Sequence, residues 1–222
     1  MSTASQRQQA TLPYPQLDWL ADETLFSLCS RQHLVIGNVS ASTTSVLILG
    51  LTHRGIKHDL PYGLKTLQTS AFQRWGNVET LLFQHTILPI FVPFQSQLNI
   101  GKAVETLKGN QIGSLKYSLG LVAGGFGAEH PLKACPECMR EDRNACGVAY
   151  WHLTHQYPGI FICPVHQAWL MTSTTSRRWS GRFSWSLPND DTLAPLSSSQ
   201  TSWSSSAFLH LANAVIALAS IG

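Results

Sequence analysis

The chain has 222 residues, 12% of them charged, with 15 Lys plus Arg against 12 Asp plus Glu and a formal charge of +3. That length can bury a real core, whereas so low and balanced a charge excludes a coiled coil, an acidic or basic tail protein and a charge-driven disordered chain. It also argues against a stand-alone sequence-reading DNA binder, which normally carries a stronger basic stripe.

In chain order, residues 1–11 are polar and read as a disordered tail, with no apolar core that would make a signal peptide or a span. Asp22 can cap a helix over 23–35, with Leu25, Phe26, Leu28 and Cys29 on one apolar face and Gly37-Asn38 as its stop. Ser40 or Ser42 can cap a second helix over 44–51, and Gly55 and Pro61 break the segment after it. Asn77 can cap a third, with Val78, Leu81, Leu82 and His85 on one side. Pro89 and Pro93 then predict an extended hydrophobic turn. A helical stretch at 102–108 comes next, and Gly124-Gly125-Phe126-Gly127 reads as a flexible connector. Residues 171–206 hold 17 Ser or Thr, which predicts a loose linker or an exposed hairpin. Residues 207–222 open on an apolar pattern expected to form a buried helix. Its apolar stretch is interrupted by His210, Asn213 and Ser220 and is shorter than the ~20 residues of a membrane span. A soluble, cytoplasmic protein is expected. The fold class predicted is mainly α: an N-terminal helical region over 12–130 with room for a helix-turn-helix, a small zinc-knuckle module over 131–170, the linker, and a C-terminal helix.

The strongest chemical signal is Cys135-Pro136-Glu137-Cys138, followed 24 residues later by Cys163-Pro164-Val165-His166. Two-residue spacing lets both side chains of one tight turn point at a single centre, and two such turns complete the tetrahedral shell of a zinc ion. A proline after the first cysteine stiffens each turn. Three thiolates and one imidazole leave no position for water, so the site reads as structural. The fourth ligand is also available from His152, His155 or Cys146, all inside the intervening segment; otherwise the two histidines read as support around the metal. Cys146 reads as a spare thiol and Cys29 as core. An odd count of five cysteines disfavours a disulfide framework.

Enzyme signatures are missing. No H-x-E precedes the P-C-x-x-C, so the deaminase pattern lacks its acid/base group. There is no H-E-x-x-H and no G-x-S-x-G, and Gly-Gly-Phe-Gly fits neither a P-loop nor a dinucleotide fingerprint. The net charge is localised: residues 133–182 hold six basic and three acidic residues, which is the whole excess. Arg140 and Arg143 follow the first cysteine pair. Arg177, Arg178, Trp179 and Arg182 mix arginines with an aromatic in a stretch without acids, a composition able to lie along phosphates with stacking support.

Four stretches together resemble the TniQ/TnsD family of transposition target-site selectors. They are Asp22-Glu23-Thr24-Leu25-Phe26-Ser27-Leu28, His85-Thr86-Ile87-Leu88-Pro89-Ile90-Phe91-Val92-Pro93-Phe94, the segment from Ala134 to Asp142, and Ala149-Tyr150-Trp151-His152 onward into Cys163-Pro164-Val165-His166. The resemblance covers roughly residues 12–170. It implies a non-catalytic role: choosing an insertion site, either on attachment-site DNA or through a CRISPR effector complex with its guide RNA, and handing that site to the AAA+ ATPase TnsC. It implies bacterial, nucleoid-associated action with no membrane or small-molecule substrate. It places one structural zinc on Cys135, Cys138, Cys163 and His166. Attachment-site binders usually continue into further helix-turn-helix modules, so an end at Gly222 reads as a truncation within the next helical unit.

Overall fold

The computed structural model of the chain describes residues 14–50, 57–67, 74–109, 111–121, 131–175, 184–195 and 204–222. The expected tail at 1–11, the connector at 124–127 and parts of the 171–206 segment lie outside the described residues.

Helices dominate, as expected. Helix α1 (Leu25–Ile36) is capped by Thr24, whose hydroxyl accepts from the Ser27 N–H. The expected cap, Asp22, does something else. It sits at a φ of 57°, and its carboxylate accepts from the backbone N–H and the hydroxyl of Thr154. Residues 25–32 of α1 are buried all round, so its polar side chains need internal partners. The Gln32 amide spans the Leu17 N–H and the Pro15 carbonyl, and Ser27 Oγ accepts from the Trp151 N–H at 3.0 Å. Arg31 Nη1 reaches the fully buried Glu23 carboxylate at 2.7 Å.

Gly37 ends α1 at a φ of 72°, where a side chain would be strained. Helix α2 (Ala41–Leu49) follows after a four-residue turn. It begins three residues earlier than predicted, with Ser40 at the cap position making no side-chain cap bond. His33 Nδ1 and Asn38 Nδ2 both lie on the Thr44 hydroxyl, at 2.7 and 3.1 Å, and fix that turn.

Helix α3 (Val78–His85) starts at Asn77, whose side chain accepts from the Thr80 N–H as predicted. Where an extended turn was expected, residues Leu88–Phe94 wind into a 3-10 helix. Pro89 and Pro93 cannot donate to an α ladder, but their fixed φ suits the tighter winding. Helix α4 (Gln97–Lys108) is longer than predicted because Ser96 caps it through the Asn99 N–H. A short α5 (Leu115–Ser118) brings Lys116 to the buried Asp59. Helices α6 (Pro136–Cys146) and α7 (Leu153–Gln156) carry the segment between the cysteine pairs.

Strands β1 (Lys133–Ala134), β2 (Met171–Ser173) and β3 (Leu193–Pro195) form an antiparallel sheet in that order, with Thr172 opposite both Lys133 and Ala194. The described part of 171–206 therefore contains paired strands. The last helix, α8 (Ser205–Ala219), forms where predicted but is not buried: only Ala212 and Val215 are inside. It lies on the 88–94 turn and sends Phe208 edge-on to Phe161 and Trp169. One apolar cluster runs from Leu25 in α1 through Trp75, Leu82 and Trp151 to Val215. Among the described residues no helix is long and apolar enough to cross a membrane.

Residues 22–24 are joined to 151–154 by backbone bonds: Thr24 N–H to the Trp151 carbonyl at 3.1 Å and Leu153 N–H to the Asp22 carbonyl at 2.6 Å. His152 sits within this joint, 3.0 Å from Asp142 and 3.7 Å from Asp22. Burial opposes a charge on His152, but the two carboxylates outweigh it and push its pKa up to about 9. A histidine with a raised folded pKa stabilises fully below its unfolded value near 6.5 and loses that contribution as pH rises through 9. The stability difference between wild type and His152→Gln, followed by urea unfolding at each pH so that other titrating groups cancel, should therefore shrink by about 2–3 kcal/mol between pH 6.5 and 9.5. A difference that does not change with pH would show that the clamp carries no charge.

Candidate metal centre

Cys135 occupies the cap position of α6, with Pro136 at the first helical position, where its missing N–H is no loss. Cys138 follows on the first turn, and the Met139 N–H closes that turn on the Cys135 carbonyl at 3.0 Å. The second pair sits in a tight hairpin. The Cys163 N–H donates to the Ala168 carbonyl at 2.8 Å, and the Gln167 N–H returns to the Cys163 carbonyl at 2.9 Å. Gln167 takes a φ of 54° to close it, and the His166 N–H points at Cys163 Sγ, 3.4 Å away.

The two halves meet. One donor atom from each of Cys135, Cys138, Cys163 and His166 lies within 4.8 Å of the others, and the three cysteines are buried. Cys138 Sγ is 3.7 Å from Cys163 Sγ, and His166 Nδ1 is 3.7, 3.3 and 3.7 Å from the sulfurs of Cys135, Cys138 and Cys163. Thiolates and an imidazole bound tetrahedrally at about 2.3 and 2.0 Å would stand roughly 3.5–3.8 Å apart. A disulfide needs about 2.05 Å, and all five cysteines are free. The cluster can hold a metal ion.

The far side of His166 supports this. Its Nε2 lies 3.1 Å from Glu141 Oε1, so Nε2–H donates to the carboxylate and the Nδ1 lone pair faces the sulfurs. Burial works against a charge on His166, but Glu141 and Cys135 together hold its pKa above the ordinary histidine range. Among the thiols, S–H groups of Cys138 and Cys163 donated to Cys135 pull its pKa down, and the resulting negative sulfur pushes that of Cys138 up. Three sulfurs this close cannot all ionise without a cation among them. Glu141 was not singled out in the sequence, although its three-residue step from Cys138 along α6 places it on the same helical face.

Residues between the pairs are tied back to Lys133, just before the first pair. Lys133 is buried and donates Nζ–H to the carbonyls of Tyr157 and Ile160 at 2.9 and 2.7 Å. Burial drives its pKa down to about 7. Gln156 pairs with both the N–H and the carbonyl of Lys133. The alternative ligands part company here. His152 belongs to the carboxylate clamp. Cys146 is exposed, with its thiol on the Asp142 carbonyl. His155 is buried, with Nε2 3.9 Å from Cys138 Sγ, and lies outside the four-donor group. Burial, and next the charge on His152, lowers its pKa to about 3. Cys29 is core, with its thiol pushed up by burial.

Of the basic residues expected to meet nucleic acid, Arg140 forms an exposed ion pair with Glu137 and Arg143 one with Asp190. Arg177, Arg178, Trp179 and Arg182 lie outside the described residues.

The TniQ family model matches the chain over residues 15–170, well over half its length and including both cysteine pairs. The chain is also similar to the transposon Tn7 transposition protein TnsD of Escherichia coli, 26% identical over 91 residues. That match covers 41% of this chain and 18% of the relative.

Cys138→Ser should drop bound metal, measured by elemental analysis, well below one ion per chain and lower the melting temperature, because metal binding and folding are coupled in such modules. Glu141→Gln should keep one ion but weaken its affinity roughly 10-fold. Full metal content and full stability in Cys138→Ser would mean that other residues bind the metal.

Proposed function

Because the chain belongs to the TniQ family, we propose that it is a non-catalytic adaptor that selects the target site in DNA transposition and recruits the AAA+ ATPase TnsC to it. The family match over residues 15–170 carries this reading. The similarity to a transposition protein over 91 residues supports it. The cysteine–histidine cluster is proposed to hold one structural zinc on Cys135, Cys138, Cys163 and His166. Four protein donors, with the far nitrogen of His166 on Glu141, leave no vertex for a substrate or a reactive water. In this role zinc fixes the two turns and the surface they carry. It bears no reaction step.

The chain is proposed to recognise either attachment-site DNA itself or a CRISPR effector that has already read the target through its guide RNA, and to recruit TnsC to that site. Arg140 and Arg143 already face carboxylates, whose negative charge opposes a phosphate contact there. Action at the nucleoid in the bacterial cytoplasm belongs to the same reading. The rival is an autonomous zinc-containing DNA-binding regulator.

Two measurements separate them. Pull-down of TnsC with ATP and duplex DNA should retain the chain, and absence of association with and without nucleotide and DNA would reject the adaptor. Binding of the chain alone to duplex DNA should be weak. A plot of log K against log[salt] with a slope steeper than about −5 on one preferred duplex would favour the autonomous regulator.

A further inference from the structure

His155 lies beside the cysteine–histidine cluster without belonging to it. The residue is 2% exposed, its Nε2 is 3.9 Å from Cys138 Sγ, and its Nδ1 is buried with no hydrogen-bond partner. Such an orphaned atom fixes which nitrogen holds the proton. With the proton on Nδ1, a buried N–H donor would be left unsatisfied while the Nε2 lone pair faced the lone pairs of a sulfur. Both arrangements are costly. With the proton on Nε2, the N–H points at the sulfur and only an acceptor lone pair is orphaned. We infer that His155 is a positioning residue of the metal centre, its Nε2–H donating to the Cys138 thiolate and setting that ligand's direction and donor strength.

The backbone of α7 explains how the ring is held. His155 follows Leu153 and Thr154, whose N–H groups are both fixed on Asp22. Its ring packs against His152 at a centroid distance of 5.1 Å, and His152 is clamped between Asp22 and Asp142. Gln156, next along, is locked to Lys133, two residues before Cys135. Donation from His155 therefore extends this frame to a third cluster residue. Glu141 orients His166 from one side, and His155 addresses Cys138 from the other. This inference rests on the zinc reading above, and the test begins by separating the two.

Zinc per chain is measured on the whole protein first; a chain that takes up no zinc removes both readings together. With one zinc confirmed, the metal is replaced by cadmium-113 and the histidine tautomers are read from long-range proton–nitrogen-15 spectra. The expected result is a His155 proton on Nε2. A proton on Nδ1 in a chain that binds one metal overturns this inference and leaves the zinc reading intact. Two variants extend the test. His155→Phe keeps the ring and loses the donor, and should bind zinc roughly 10-fold more weakly, whereas His155→Gln, whose amide N–H stands near Nε2, should stay close to wild type. In the cobalt-substituted Phe variant the sulfur-to-cobalt charge-transfer band should move to lower energy, as expected of a thiolate that has lost a donor. Unchanged affinity and band position in a folded Phe variant would overturn the inference. So would a cobalt spectrum showing loss of a nitrogen ligand, which would make His155 part of the shell itself.

Discussion

The structure depends on one joint, the mutual capping of residues 22–24 and 151–154. Two backbone bonds tie the strand-like approach to α1 to the start of α7, the Asp22 carboxylate supplies the first turn of α7, and Ser27 of α1 supplies the Trp151 N–H. Unpaired, the N–H groups of the buried Thr24, Trp151 and Leu153 would each cost about 1–3 kcal/mol. The apolar cluster then closes around the joint, with Leu28 and Trp151 both fully inside. The helical part and the metal-binding part therefore share one core.

The metal centre is attached to that joint from within. The cysteine pairs sit at the two ends of a 24-residue segment that contains α7, and Lys133, just before the first pair, is bonded to Gln156, Tyr157 and Ile160 within it. A buried lysine capping two carbonyls is an expensive way to hold a turn. Here it makes the approach of the second cysteine pair independent of surface side chains. A metal ion would then add its binding energy to a preformed frame, so that metal loading and docking of residues 22–24 reinforce one another.

Much of this was legible in the sequence because the signals were local. The C-P-x-C and C-P-x-H spacing identified the four residues that converge, since geometry within a tight turn depends on spacing alone. Asn77 as a cap and the Leu81, Leu82 face of α3 were read correctly for the same reason. The misses are non-local. Asp22 looked like a cap for α1, but its carboxylate is drawn to Thr154, 132 residues away, and Thr24 takes the local role. The apolar pattern of α8 suggested burial, yet only one narrow stripe of it meets the 88–94 turn. Charge pairing is non-local too: the sequence shows Lys133 and Arg143 but not that Lys133 turns inward onto two carbonyls or that Arg143 meets Asp190, 47 residues on.

The joint also governs when the protein can become itself. Its two sides are separated by 132 residues, so the loop that closes it is among the longest the chain offers, and closure comes late relative to local helix formation. On a ribosome adding about 5–20 residues per second, residues 22–24 emerge and wait roughly ten seconds for their partners. The contacts that seal the polar side of α1 therefore become available only once the cysteine segment has been synthesised.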